Sequence, residues 1–120
     1  MIKNDLLHLG VNQLFKDAAT IVKERGLAKG ITYDPKTGSL DIYGAVLMAA
    51  GAKPRRLCNG SVRPEEVGIP IFRHAQVEAA FDLLEKLIGD IDEWNDSAST
   101  DDVRKLFLRC CDIAMSEKRG

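Results

Sequence analysis

Asp41-Ile42-Tyr43-Gly44-Ala45-Val46-Leu47-Met48-Ala49-Ala50-Gly51 decides the architecture of this 120-residue chain. Asp41 has the side chain of a helix N-cap, Gly51 is a stop signal, and the residues between them offer almost no polar face. A helix apolar all round belongs at the centre of a domain, covered by other helices. Gly44 costs such a helix about 1 kcal/mol relative to alanine, and close helix packing is the natural reason to accept it. The longest weakly polar run, residues 44–52, is about half of the roughly 20 apolar residues that a membrane span requires.

Elements able to cover this helix lie on both sides of it. Upstream, Val11, Leu14, Phe15, Ala18, Ala19 and Val22 recur at three- and four-residue spacing and predict a helix over 11–25, capped by Asn12 and ended by Gly26. Leu6, Leu7 and Leu9 are expected to add a short turn on the same core. Ile31-Thr32-Tyr33 followed by Asp34-Pro35-Lys36-Thr37-Gly38 combines β-branched residues with turn chemistry, and predicts a small β-hairpin whose second arm is Ser39-Leu40.

Downstream, residues 52–70 hold Pro54, Pro64, Pro70, Gly60 and Gly68 without a sustained period, so a long loop is expected, with at most one helical turn at 64–67. Val77, Ala80, Phe81, Leu84, Leu87 and Ile88 mark a helix over 71–88, stopped by Gly89. A short turn or helix follows at 90–96. Ser99 and Asp102 have capping-box spacing ahead of a last helix on Val103, Leu106, Phe107, Cys110 and Ala114, running to about Met115. The expected fold is mainly α: one domain over residues 1–120, a small helical bundle of about four helices with one short β-hairpin.

Composition removes several kinds of function. With 17 basic and 18 acidic side chains the net charge is −1, which lacks the basic excess of a dedicated polyanion binder. No secretory signal is evident at the start, and the three cysteines, Cys58, Cys110 and Cys111, are odd in number, so a reduced cytoplasmic protein is the economical reading. Zinc-ligand spacing is missing, and so are a phosphate-binding loop, a GxGxxG turn, a GxSxG elbow and an HExxH helix. The only histidines, His8 and His74, stand far apart without a motif. An EF-hand loop begun at Asp90 would need glycine where Asn95 stands and glutamate where Asp101 stands. No catalytic residue, metal or cofactor is assigned.

Charge is segregated along the chain. Lys53, Arg55, Arg56, Arg63 and Arg73 against Glu65 and Glu66 give residues 53–74 a net of +3. Asp90, Asp92, Glu93, Asp96, Asp101 and Asp102 give residues 90–102 a net of −6. Either the basic loop folds over the acidic turn and the two compensate locally, or the loop presents an anion- or partner-binding surface. The candidate partner- or anion-binding residues are Lys53, Arg55, Arg56, Arg63, Trp94 and Asp96. Trp94-Asn95-Asp96 reads either as a turn, with Trp94 in the core and Asn95 and Asp96 serving amides at the start of the last helix, or as the floor of a site.

Glu24-Arg25-Gly26, the Gly44-Ala45 helix ending in Ala49-Ala50-Gly51, and Trp94-Asn95-Asp96 before a capped helix with Val103 together resemble a family of small uncharacterised proteins of actinobacteria and their phages. That family is labelled only as a domain of unknown function. The resemblance spans roughly residues 14–114 and implies a phage or actinobacterial cytoplasmic setting. It brings no activity or catalytic residue with it. The expected function is a non-enzymatic protein-interaction module whose partner is a host or phage protein. The alternative is a small-molecule or nucleotide-binding module, with an anion site between the Gly44 helix and Trp94 closed by the 52–70 loop. Nucleic acid ranks last among partners, and no membrane is expected.

Overall fold

Asp41 turns the chain into the central helix, α2 (Ile42–Ala49), with its Oδ1 accepting the Gly44 N–H at 2.7 Å. Ile42, Ala45, Val46 and Leu47 are buried, as all-round apolarity requires. The structure, a computed structural model, describes the backbone of residues 2–119 and the side chains of residues 10–116.

Six α-helices are formed among these residues: α1 (Ile2–Arg25), α2, α3 (Pro54–Leu57), α4 (His74–Ile88), α5 (Ile91–Ser97) and α6 (Thr100–Arg119). The long outer helices α1 and α6 run antiparallel and pack along each other, with Phe15 and Phe107 meeting at a ring-centroid distance of 6.1 Å. The Leu27 N–H, just past the end of α1, donates to Thr100 Oγ1 at the start of α6. Helices α1 and α4 both pack on α2, and Leu14, Val22, Val77, Leu84 and Val103 join its side chains in one core. The expected capping box is present: the Ser99 N–H donates to Asp102 Oδ2 at 3.0 Å and the Asp102 N–H to Ser99 Oγ at 3.1 Å.

Several expectations are corrected. Helix α1 begins near the chain start, so Asn12 lies inside it; the Asn12 Nδ2 donates to the Cys111 carbonyl on α6 at 3.0 Å, not to an N-terminal amide of its own helix. The expected docking of Leu6, Leu7 and Leu9 falls outside the described side chains. The 52–70 segment is not without structure, because Pro54 and Pro64 each sit at a position where their missing N–H costs nothing and start α3 and a 3-10 turn (Pro64–Glu66). A second 3-10 turn, Ile71–Arg73, precedes α4.

No β-hairpin or sheet forms among the described residues. The turn itself is real, with the Gly38 N–H donating to the Asp34 carbonyl at 2.7 Å and the Asp34 N–H to the Ser39 carbonyl at 2.9 Å. Pairing stops there because Leu40 is shared: it bridges Tyr33 on one side and Leu27 on the other, and the next residue already caps α2. Gly44 is explained by the same loop. A Cβ there would collide with the Thr32 carbonyl oxygen and lie 2.9 Å from Leu40 Cδ2, so the glycine admits a loop backbone and not the neighbouring helix expected.

Candidate functional site

The 27–41 loop, the start of α2, the 58–63 turn and α5 enclose a cavity of about 450 Å³. Thr32, Asp41, Tyr43, Asp92 and Asp96 line it, with Ile31 and Val62 as its apolar parts and Gly60 on the far wall. Ile31 is 44 % exposed.

Asn95 fixes the geometry of this cavity. Its side chain, 3 % exposed, accepts the Ile42 N–H on Oδ1 at 2.9 Å and donates from Nδ2 to the Ala28 carbonyl at 3.0 Å. One amide therefore ties α5 both to the start of α2 and to the loop. Asn95 does not serve α6, contrary to the turn reading. Asp96 takes no part in capping α6 either; its carbonyl accepts Lys29 Nζ at 2.8 Å. Helix α5 is itself capped by Asp90, whose Oδ1 accepts the Glu93 N–H.

The cavity is electrostatically negative. Asp41 is 7 % exposed, and burial pushes its carboxyl up to about 6 from the ordinary 3.8 against the pull of the Gly44 amide, with the nearby Asp92 and Asp96 charges adding to the rise. Tyr43 packs edge-on against Phe81, at a ring-centroid distance of 5.2 Å, and its phenol is pushed up by burial and then by Asp92 and Glu85. Tyr43 and Asp92 also border a shallower cleft whose other walls include Glu85 and Asp90. A cation or hydrogen-bond donor is favoured in such surroundings and an anion is repelled. Among the described residues, no group of three or more His, Cys, Asp or Glu side chains is arranged to hold a metal ion.

Of the candidate residues, Asp96 alone lines this cavity. Trp94 leaves α5 on another side and lines a groove of about 340 Å³ with Leu87, Ile88, Leu106, Lys105 and Arg109, half-buried against the core. Lys53, Arg55 and Arg56 are exposed on and beside α3, and Arg63 pairs with Glu65 at 2.9 Å within its own segment. The anion site expected between the Gly44 helix and Trp94 is therefore not assembled: Trp94 faces away, the arginines are not among the lining residues, and the walls are carboxylates. Among the described residues no ion pair joins the basic segment to the acidic one. The other ion pairs among the described residues, Arg104 and Lys105 with Asp101, stay within α6. The basic segment and the acidic helix share a cavity wall, the former through Gly60 and Val62 and the latter through Asp92, Asn95 and Asp96.

Sequence reading missed Ile71 and Phe72. Taken as the start of a helix, they stand on the 3-10 turn before α4 and are 84 % and 77 % exposed. A signal was available, since neither lies three or four residues before Val77, so both are out of register with the buried stripe. Sequence pattern marks Asp41 only as a cap and Asp92 only as part of an acidic turn.

Among the described residues no helix is long and apolar enough to cross a membrane. No curated protein and no solved structure matches the chain. The profile of one family matches residues 8–112, nearly the whole of the structure just described, and the chain belongs to that family, a family of unknown function (DUF6197).

Proposed function

We propose that this chain is a non-enzymatic protein-interaction module that presents the segment between α2 and α4, residues 52–73, to another protein. The observation that carries the reading is the adjacent, almost fully exposed pair Ile71 and Phe72. Burying a side chain of that size is worth about 1.5–3 kcal/mol. Single exposed apolar residues are ordinary on a protein surface, whereas a contiguous pair rimmed by charge is the usual mark of a contact surface. Lys53, Arg55 and Arg56 belong to the same end of the molecule, because Lys53 lies over Gly68 and donates its N–H to the Val67 carbonyl, while Pro70 lies beside Gly51. Apolar side chains then supply affinity, and the cations supply orientation and encounter rate.

A reducing cytoplasm suits the free thiols Cys58, Cys110 and Cys111. The partner would be a host or phage protein, in keeping with the actinobacterial and phage resemblance read from the sequence. A small-anion or nucleotide module has less support, given the carboxylates around the cavity.

A photo-crosslinking residue placed at position 72, in the organism that makes the protein, tests the reading. It should give discrete crosslinked species that Arg55→Glu with Arg56→Glu removes, while the same probe at the exposed Pro35 gives none. Absence of any product specific to position 72 would overturn the proposal.

A further inference from the structure

Two surfaces of this chain each combine exposed apolar side chains with charge, one with a basic excess and the other with carboxylates on its wall. At the C-terminal end of α2, Ile71 and Phe72 stand with Lys53, Arg55 and Arg56. At the cavity, Ile31 stands with Asp41, Asp92 and Asp96. The exposed large hydrophobic residues among the described ones are Ile31, Ile71, Phe72 and Leu108, so all but Leu108 fall on these two surfaces. No ion pair among the described residues joins the two.

Building on the reading of residues 52–73 as a contact surface, we infer that the partner it fits is a second copy of this chain, with the basic segment of one copy docking at the acidic cavity of the next. Charge complementarity selects this occupant: a segment of net +3 meets a cavity wall carrying Asp92 and Asp96 of the segment of net −6, and among the described residues no ion pair neutralises either carboxylate or joins the two segments. The apolar parts match as well, since Ile71 and Phe72 would cover Ile31 and Val62 at the cavity. At about 450 Å³ the cavity is large enough to enclose one guanidinium or one aromatic side chain, being within the range of about 300–1,000 Å³ of sites that enclose ligands. Guanidinium groups gain most from such a wall, because they can bond two carboxylate oxygens at once. The contact joins unlike patches, so the assembly either closes as a ring or pair or extends as a chain, according to the rotation between copies.

Analytical ultracentrifugation of the full chain, combined with a charge swap, tests the inference. Wild type should sediment with a weight-average mass that rises with concentration to about twice the monomer or more at about 0.1 M salt, and should dissociate at about 1 M, where the screening length falls from about 10 Å to about 3 Å. Arg55→Glu with Arg56→Glu in one variant, and Asp92→Arg with Asp96→Arg in another, change only exposed side chains; circular dichroism checks that both keep their helix. Each variant alone should be monomeric, and their equimolar mixture should restore the wild-type assembly with the two variants alternating in it. A wild type that stays monomeric at low salt overturns the inference, and so does a mixture in which both variants remain monomers. If position 72 then crosslinks to a different protein, self-docking has failed and the interaction reading survives; if it crosslinks to nothing, both have failed.

Discussion

Replacing Asn95 by alanine tests what holds the cavity together. The side chain is 3 % exposed and makes one accepting and one donating bond, to the Ile42 N–H at 2.9 Å and the Ala28 carbonyl at 3.0 Å. Alanine leaves both backbone groups without a partner beside α2. An orphaned buried polar group costs about 1–3 kcal/mol, so the pair sets a range of about 2–6 kcal/mol. Asn95 also lines the cavity, which gives water a route to the vacated groups and lowers the expectation to about 2–4 kcal/mol. That is a large part of the 5–15 kcal/mol a domain of this kind typically has, and corresponds to roughly 8–16 °C in Tm.

Urea unfolding followed by far-ultraviolet circular dichroism, with the denaturant slope unchanged, reads this loss directly. Asn12→Ala is the internal comparison: Asn12 also bonds a distant carbonyl, that of Cys111, but is only half-buried, and about 1 kcal/mol is expected. If Asn95→Ala costs no more than Asn12→Ala, the polar tie is not what fastens α5 to α2, and the reasoning is refuted.

Other perturbations follow from the same geometry. Gly44→Ala should destabilise by about 1–3 kcal/mol even though helix propensity favours alanine by about 1 kcal/mol, because the new methyl collides with the Thr32 carbonyl; a stability gain in the same urea assay would mean that the loop yields freely. Asp41 titrates at about 6 when folded against 3.8 ordinarily, so the folded state binds more protons between those values, and the stability this group contributes is complete below the lower value and lost as pH rises through the upper one. The shift corresponds to a penalty on the order of 3 kcal/mol at neutral pH. Asp41→Asn keeps a good N-cap without the charge, so it should be more stable than wild type by on the order of 1–3 kcal/mol at about pH 7.5, with the advantage gone near pH 4. Unfolding curves at the two pH values check this, and a variant less stable at both would show that the carboxylate is needed as a cap.

How far the sequence was readable depended on the range of the interaction. Local rules worked: Asp41 capping α2, the Ser99–Asp102 box opening α6, Gly26 and Gly89 ending α1 and α4, and the apolar character that puts α2 at the centre. Asn12 misled because an asparagine ahead of an apolar stripe looks like a cap, and nothing nearby shows that its partner is 99 positions away. Asn95 is the same case, since turn formation is its commonest use and its partners lie 53 and 67 positions off. The hairpin failed for a topological reason: a strand needs a run of neighbours, and Leu40 divides a single residue between two. Charge segregation was legible as a count, but direction was not, and direction decides whether a basic loop neutralises an acidic helix or leaves it open. Asp41 and Asp92 share a wall only because α2 and α5 are brought together by tertiary packing.

The burial of the thiols makes the protein a convenient object for spectroscopy. Cys110 and Cys111 lie in the core, and burial pushes the Cys110 thiol up to about 12, so at neutral pH it has almost no reactive thiolate. Cys58 is exposed at the end of α3, two positions after Arg56 and two before Gly60 at the cavity wall. A maleimide dye or nitroxide therefore has one accessible address in the native chain, beside both surfaces in question, and distances between labels on two copies can be measured without altering a single residue.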